Sequence, residues 1–294
     1  FLGSPHWKHS ELLFEKKGRW FANFLLKDGN EVIITGRNQE KLLEAKQQLG
    51  VEVATNTEAV SGADAVLISV PIESFEVVVE QIKPYTRSEQ VIADITSVKV
   101  FPVEIMHKHI KTGLVLGTHP VFGPGAKDVT NHSFVLTPTN GEERATAQKI
   151  RQYLETRGAK VTLMTPQEHD ELMTVILGLA HFIAIVSADT LLGVDRLARM
   201  REISGTTFKV LLTLVESVIS EDPELYASLQ MSLPGTTEVE KLFQRSVKTW
   251  ADLVKSKDRQ GFVRRMNTLK DRLEKVDPNF GKAYGSMYNL VEGL

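Results

Sequence analysis

One histidine in this chain follows a predicted strand at the point where the strand meets a turn. The segment Gly117-Thr-His-Pro-Val-Phe-Gly-Pro-Gly125 comes directly after the apolar residues 114–116. Proline fixes φ and glycine admits positive φ, so the backbone around His119 is closely specified. Histidine exchanges a proton near neutral pH, and α/β proteins place reactive groups at strand ends. His119 is therefore a candidate general base, and the alternative is a turn residue that only ends the strand.

The composition is that of a globular protein. The chain has 294 residues, of which 42% are hydrophobic and 24% charged, enough for two domains. A net charge of -2 predicts no nucleic-acid partner and no anionic membrane. The absence of cysteine excludes disulfides and thiolate metal sites, and it fits the cytoplasmic location that we expect. No apolar run approaches the ~20 residues of a membrane span, so no membrane partner is expected.

Strand and helix signals alternate in the first half of the chain. This alternation predicts an α/β fold, with an N-terminal Rossmann-like, doubly wound sheet followed by an all-helical dimerisation domain. We expect the dinucleotide-binding domain to span residues 1–164 and the helical substrate and dimerisation domain to span residues 165–294. The expected strands after the first are 31–35, 51–54, 65–69, 91–94, 114–117, 133–137 and 160–164.

The second half begins with a helix-start signal. Thr165-Pro-Gln-Glu168 forms a capping box with proline at the first helical position, and an apolar helix should run to about Leu192. His169 is expected to be a surface residue of the first turn. Amphipathic helices follow from Arg201, and their long apolar faces predict a homodimer.

The first helix has the place of a nucleotide-binding helix, but its glycine loop is atypical. Gly18 matches the last of three expected glycines, whereas the other two positions fall on Leu13 and Glu15. Residues 5–10, where a first strand belongs, show no β pattern. The first ~17 residues are thus either non-native sequence on an ordinary dehydrogenase or the mark of a protein that has lost tight nucleotide binding.

The end of the second strand indicates which nucleotide is preferred. Gly36-Arg37-Asn38 contains an arginine and no acid, which suits the 2′-phosphate of NADP better than the ribose diol of NAD. The alternative is a solvated arginine in a turn. No metal site is predicted, because His107 and His109 lie two residues apart on a helix and point in different directions.

Six motifs follow one another along the chain. They are Gly62–Pro71, Asp94-Ile-Thr-Ser-Val-Lys99, Gly117–Pro124, Glu168-His-Asp170, Leu179-Ala-His181 and Asp222-Pro-Glu-Leu-Tyr226. In this order they resemble the prephenate dehydrogenase family, most closely its short archaeal type, and the resemblance covers about Gly18 to Tyr226. It implies NADP-dependent oxidative decarboxylation of prephenate to 4-hydroxyphenylpyruvate, on the route to tyrosine.

The resemblance also implies the roles of particular residues. His119 matches the catalytic histidine, Ser97 the serine that orients it, and His181 a substrate-contacting histidine. Lys99 is expected near the cofactor or the substrate acid, and the alternative is a solvated lysine. Gly178 leaves room for a ligand. The expected cofactor-binding residues are Gly18, Arg19, Trp20, Gly36, Arg37, Asn38, Ser69, Val70, Pro71 and Thr96.

Some assignments stay open from the sequence. The family's arginine for a substrate carboxylate is absent from residues 210–221; the nearby cations are Arg196, Arg199, Arg201 and Lys209. Prephenate and arogenate are not distinguished. Two other functions remain: a dehydrogenase of the hydroxyacid or imine-reducing type, disfavoured because residues 166–192 contain no lysine, or a catalytically silent dimer with a decayed nucleotide site.

Overall fold

The computed structural model describes residues 8–12 and 16–293, with side chains from residue 16 onward. The chain forms two compact units, one that ends at Met173 and one that begins at Thr174. The helix predicted from Thr165 does begin at Pro166, and the division between the units comes two turns later, because these turns pack on the first unit. The expectation of an α/β sheet followed by a helical domain is confirmed.

The first unit is built on one eight-stranded sheet in the order β3-β2-β1-β4-β5-β6-β7-β8. All neighbouring strands run parallel except β6 and β7, which are antiparallel. The strands are β1 (Lys8–Leu12), β2 (Glu31–Ile34), β3 (Glu52–Val53), β4 (Ala65–Ile68), β5 (Val91–Asp94), β6 (Leu114–Pro120), β7 (Ser133–Thr137) and β8 (Lys160–Leu163).

The first strand corrects one expectation. Residues 5–10 show no β pattern, yet residues 8–12 form β1, an interior strand paired with β2 on one side and β4 on the other. Backbone hydrogen bonds to the two neighbouring strands define the position of β1. Every residue type except proline can make them through its N–H and C=O groups, so the side chains need not show a β pattern. The predictions about Leu13 and Glu15 fall outside the described residues.

Helices cover both faces of the sheet. In β4, Val66 and Ile68 pack with α4 and α5, whereas Leu67 faces the opposite cluster, which includes side chains of α1 and α6. Successive residues of a strand point to opposite faces, so this alternation places two helical layers around the sheet. The helices are α1 (Lys16–Lys27), α2 (Gln39–Leu49), α3 (Asn56–Gly62), α4 (Ile72–Ile82), α5 (Val100–His109), α6 (Gly141–Glu155) and α7 (Pro166–Met173).

Residues 174–293 of the second unit form helices joined by short connections and contain no strand. It begins with a π-helical segment (Thr174–Leu179) that continues α7 directly into α8. The other helices are α8 (Ala180–Gly193), α9 (Leu197–Glu202), α10 (Thr206–Ile219), α11 (Pro223–Ser232), α12 (Thr236–Lys255), α13 (Arg259–Val276) and α14 (Ala283–Glu292).

The long helix Pro166–Gly193 corrects the expectation about apolar runs. Its 28 residues are long and apolar enough, by length and composition, to cross a membrane. Only 17% of its most apolar window is buried. One such helix is weak evidence for a membrane span, since helices of soluble proteins meet the same criteria.

A buried ion pair joins the end of β5 to β6. The Lys99 ammonium and the Asp94 carboxylate are both fully buried and in contact, and Lys99 Nζ also donates to the carbonyl of Thr118 at 2.6 Å. Asp94 further accepts from the backbone N–H groups of Thr96 (2.9 Å) and Thr118 (3.4 Å). Burial lowers the pKa of Lys99, and Asp94 opposes that shift. The ammonium therefore depends on Asp94 for its charge.

Gly117 allows the neighbouring strand and helix to approach β6 closely. A Cβ atom on Gly117 would lie 2.3 Å from Thr137 Oγ1 and 2.6 Å from Val103 Cγ2. Real Cβ atoms do not make such contacts, so any side chain here must displace β7 or α5. The glycine before His119 is thus explained by packing.

Gly117→Ala is expected to lower the free energy of unfolding by about 1–3 kcal/mol, because it overpacks this contact. Urea denaturation measures the change. Gly141→Ala is the matched control, since a Cβ at the start of α6 meets nothing within 4 Å. Equal stability of the two variants would contradict the close packing.

Asp94→Asn is expected to lower the free energy of unfolding by about 3–5 kcal/mol at neutral pH, because it leaves the Lys99 charge buried without a counter-charge. The double variant Asp94→Asn/Lys99→Met should recover most of the loss. In Asp94→Asn the folded-state pKa of Lys99 falls further, so the unfolded state binds more protons and stability rises with pH. Denaturation at increasing pH measures this; a loss that is identical in both variants and independent of pH would exclude the charge as its cause.

Candidate active site

His119 lies on the part of β6 that extends beyond β5. β6 pairs with β5 only as far as Gly117, and residues 117–120 continue in antiparallel pairing with β7, where His119 is opposite Val135. The histidine was predicted in a turn and is in a strand, because the antiparallel partner supports β6 past the end of its parallel neighbour. His119 is 2% exposed. It is held rigidly at the carboxyl edge of the sheet.

The imidazole of His119 has a partner that sequence reasoning missed. His119 Nδ1 lies 2.8 Å from Nε2 of His169, and the two rings meet edge to face. The expectation that His169 is a surface residue is wrong: it is fully buried. His169, Asp170 and Met173 form the buried face of α7. Their spacing along the helix is the signal that could have indicated this.

Asp170 holds this arrangement in place. Its Oδ1 accepts from His169 Nδ1 at 2.7 Å and from the backbone N–H of Lys99 at 2.7 Å. Its Oδ2 accepts from the N–H of Val100 at 2.9 Å. Lys99 is the N-cap of α5 and offers no side-chain cap of its own. Asp170 therefore caps α5 from α7 and orients His169 at the same time.

These side chains form one polar cluster, which consists of Asp94, Lys99, His119, His169 and Asp170. Burial lowers the pKa of His119 well below its usual value, and the neighbouring charges of Lys17 and Lys99 act in the same direction. A second lysine that the sequence reasoning overlooked, Lys17 in the first turn of α1, has its pKa lowered to about 8 by burial and by Lys99. His119 is thus neutral at neutral pH, as a general base must be.

Ser97 and Lys99 differ from their expected surroundings. Ser97 is half-buried in the turn between β5 and α5, and within residues 16–293 no hydrogen bond joins it to His119. The orienting contact to His119 comes instead from His169. The Lys99 ammonium, expected near the cofactor or the substrate, is buried against Asp94.

The expected cofactor residues of α1 make contacts within the protein. Gly18 is buried, and Arg19 lies 3.6 Å from Glu44. Trp20 donates its indole N–H to the carbonyl of Ala126 at 2.6 Å and packs on Phe24 and Phe122. The indole is therefore part of an aromatic cluster.

The other expected cofactor residues follow the carboxyl ends of parallel strands. After β2, Gly36 is half-buried, Arg37 is exposed, and Asn38 caps α2 by accepting from the N–H of Lys41 at 3.0 Å. After β4, Ser69 and Val70 are 5% exposed, and Pro71 directly precedes α4. Thr96, after β5, donates through its backbone to Asp94.

These residues fit a dinucleotide. The strand order reverses at β1 and β4, which is the point where doubly wound sheets bind such ligands. Lys17 in the first turn of α1 and the exposed Arg37 after β2 are cations on the elements that bind the phosphates in such sheets. The position of this edge of the sheet and its cationic side chains are therefore appropriate for an anionic nucleotide.

The second unit contains the remaining expected site residues. His181 meets Tyr226 edge to face, with ring centroids 4.9 Å apart, and burial lowers its pKa. Its Nδ1 is buried without a hydrogen-bond partner among the described residues. The carbonyl of Gly178, in the π-helical segment, accepts from Gln230 Nε2 at 2.9 Å. The position of His181 opposite His119 stays a prediction.

The candidate cations and metal ligands are distributed as follows. Arg199 pairs with Glu202 and Arg201 with Glu216, each at 2.9 Å, while Arg196 and Lys209 are exposed. His107 contacts Glu143 and His109 contacts Glu76, so the two histidines point in different directions as predicted. Among the described residues, no group of three metal-ligating side chains is found.

The sequence matches both domains of one known family. The nucleotide-binding domain of prephenate dehydrogenase matches residues 21–163, and the dimerization domain of prephenate dehydrogenase matches residues 165–268. A probable arogenate/prephenate dehydrogenase of Methanocaldococcus jannaschii is 35% identical over 254 residues, which is 85% of this chain and 57% of that protein. The T-protein of Haemophilus influenzae is 27% identical over 88% of this chain and 64% of its own length. The chain thus spans about 57–64% of these relatives.

Solved structures share the fold. Prephenate dehydrogenase from A. aeolicus, in complex with hydroxyphenyl propionate and NAD+, superposes with a TM-score of 0.75 at 19% identity and covers 92% of this chain and 98% of its own. Arogenate dehydrogenase of Synechocystis gives a TM-score of 0.69 at 19% identity, with 92% of this chain and all of that chain covered. The two matched domains span most of this sequence, and the chain belongs to the prephenate dehydrogenase family.

Proposed function

We propose that the protein is an NADP-dependent dehydrogenase that oxidises prephenate or arogenate with loss of carbon dioxide. The observation that carries the proposal is the neutral, buried His119 on the rigid extension of β6. Family membership and the names of the relatives support this reaction class.

The reaction requires a base. The substrate's C4 hydroxyl loses its proton as C4 becomes a carbonyl, and ring aromatisation then expels the C1 carboxylate as carbon dioxide. A nicotinamide cofactor bound at the carboxyl edge of the sheet would supply the acceptor for the hydride that leaves C4. His119 takes the hydroxyl proton, and its lowered pKa keeps it in the accepting form. Ser97, three residues past β5, is the proposed second contact to that hydroxyl.

The cofactor assignment depends on the ends of β2 and β4 and on the start of α1. Arg37 is exposed and directly follows Gly36, so its guanidinium suits the 2′-phosphate of NADP. The backbone after β4, from Ser69 to Pro71, and Thr96 after β5 line the same edge of the sheet. Gly18 permits the first turn of α1 to approach the diphosphate.

The substrate contacts in the second unit are proposed on chemical grounds. His181 Nδ1 is a buried polar atom without a partner among residues 16–293, and a ligand's carboxylate or keto oxygen would satisfy it. Arg196 and Lys209 are the exposed cations from which a carboxylate partner is expected.

The assembly is proposed to be a homodimer in the cytoplasm. The second unit exposes many large apolar side chains, with Ile203 82% and Met231 86% exposed. Surfaces of this kind mark interfaces, and the matching family domain is named for dimerization. Other exposed apolar residues of this unit are Val175, Ile176, Leu192, Ile219, Leu225, Leu242 and Val254.

The enzymatic proposal predicts formation of NADPH at 340 nm when the protein is mixed with NADP+ and prephenate or arogenate. His119→Asn should lower kcat by about 10²–10⁴ and leave KM nearly unchanged, because the base is removed without loss of binding contacts. His109→Asn is the control, since His109 pairs with Glu76 away from the polar cluster.

The same assay decides the competing functions. An unchanged kcat in His119→Asn would contradict its role as the base. Equal efficiency with NAD+ and NADP+ would contradict the interpretation of Arg37. Failure of the wild-type protein to bind either nucleotide in isothermal titration would favour the silent dimer.

Sedimentation equilibrium at micromolar concentration is expected to give twice the chain mass of 32.8 kDa. The exposed apolar side chains of the second unit are the physical reason, since burial of such area drives association. A mass of 32.8 kDa across the concentration range would contradict the homodimer.

A further inference from the structure

We propose that His169 and Asp170 are positioning residues that fix the tautomer of His119, so that its Nε2 atom is the one that accepts the substrate proton. The inference builds on the proposed function and names the atom and the residues that control it. It concerns a buried chain of three side chains, Asp170, His169 and His119.

The contacts among these three side chains are short and shielded from water. Asp170 Oδ1 lies 2.7 Å from His169 Nδ1, and His169 Nε2 lies 2.8 Å from His119 Nδ1. His169 is fully buried, Asp170 is 3% exposed and His119 is 2% exposed. Water is thereby excluded from both contacts, so His169 Nδ1, His169 Nε2 and His119 Nδ1 must find their partners within the protein.

The direction of the first hydrogen bond follows from Asp170. Its two oxygens already accept from the backbone N–H groups of Lys99 and Val100, which cannot act as acceptors. An ionised carboxylate offers acceptors only, so His169 Nδ1 must carry a proton and donate it. We assign His169 its neutral form, whose single N–H is then on Nδ1 and whose Nε2 is left as an acceptor.

The direction of the second hydrogen bond then follows. His119 Nδ1 faces the acceptor Nε2 of His169 and must itself be the donor. Neutral His119 therefore carries its proton on Nδ1, and its Nε2 holds the free electron pair. Within residues 16–293 the structure records no hydrogen bond to that Nε2 atom, which agrees with an atom reserved for a ligand.

The three hydrogen-bonded side chains also accommodate the product of proton transfer, which is the imidazolium of His119. When Nε2 of His119 takes the hydroxyl proton, the new imidazolium still donates from Nδ1 to His169. The charge is then stabilised by Asp170 through His169, and no side chain has to rotate. Without His169, the buried Nδ1–H would lose its acceptor, and both tautomers of His119 would become accessible.

The tautomer is measured directly by long-range proton–nitrogen correlation spectra of the 294-residue chain labelled with ¹⁵N-histidine. The His119 signals are assigned by their loss in His119→Asn. We expect the wild-type protein at neutral pH to show protonated Nδ1 and an unprotonated, pyridine-like Nε2. A proton on Nε2 of His119 would overturn the proposal.

Two variants test the control by Asp170 and His169. In Asp170→Asn the amide group can donate to His169 Nδ1, which inverts the tautomer of His169. We then expect kcat to fall roughly 10²-fold, at the low end of general-base effects, and KM to stay within about twofold of the wild-type value. His169→Gln leaves Asp170 on the amides of α5 and should also lower kcat while unfolding as the wild type does. His109→Gln is the matched control and should keep both kcat and the His119 spectrum.

The outcomes separate this inference from the proposed function. Wild-type kcat and unchanged His119 signals in both variants would exclude the positioning role while the dehydrogenase activity stands. Absence of turnover with prephenate and arogenate in the wild type would reject the proposed function, and the spectra of the three proteins would still decide which residue fixes the His119 tautomer.

Discussion

The antiparallel pairing of β6 with β7 is the constraint on which the candidate site depends. β5 supports β6 only to Gly117, and β7 alone carries the strand on to Pro120. A strand extension without a partner would sample many conformations, whereas pairing with β7 orders this one. The side of the extension that faces away from β7 stays open at the carboxyl edge of the sheet. His119 thus has a fixed backbone together with a face directed away from the ladder.

The polar cluster determines the chemical environment of His119 on this strand extension. Asp94 and Lys99 tie the end of β5 to Thr118, one residue before His119. Asp170 connects the start of α5 to α7 and holds His169 against the imidazole. Two carboxylates, one lysine and two histidines are buried together, and each of these side chains has a partner of opposite charge or a hydrogen bond. Burial, and after it the positive charges nearby, lower the pKa of His119 and keep the ring neutral.

The sequence predicted the elements whose signals are local. Apolar runs located β4, β5 and β7 closely, and the Thr165 capping signal located α7, where Thr165 Oγ1 accepts from the N–H of Glu168. The arginine after β2 and the histidine of β6 were found because their chemistry is tied to strand ends. These inferences need only the residues beside them.

The expectations that failed concern long-range contacts. β1 is specified by its two neighbouring strands, and the side chains of its own segment gave no sign of it. His169 looked like a surface residue because the first turn of a helix usually is exposed, while its burial depends on residues 50 positions earlier. Lys99 is drawn inward by Asp94, a pairing that spacing alone does not distinguish from a solvated lysine.

The indole of Trp20 links two segments that a nucleotide-dependent reaction would need to coordinate. It hydrogen-bonds the carbonyl of Ala126 and packs on Phe122, so the loop that follows His119 is fastened to the first helix. The conformational entropy of this loop is lost when the chain folds. The loop is therefore already ordered before a ligand binds, and less of the binding free energy is consumed in arranging it.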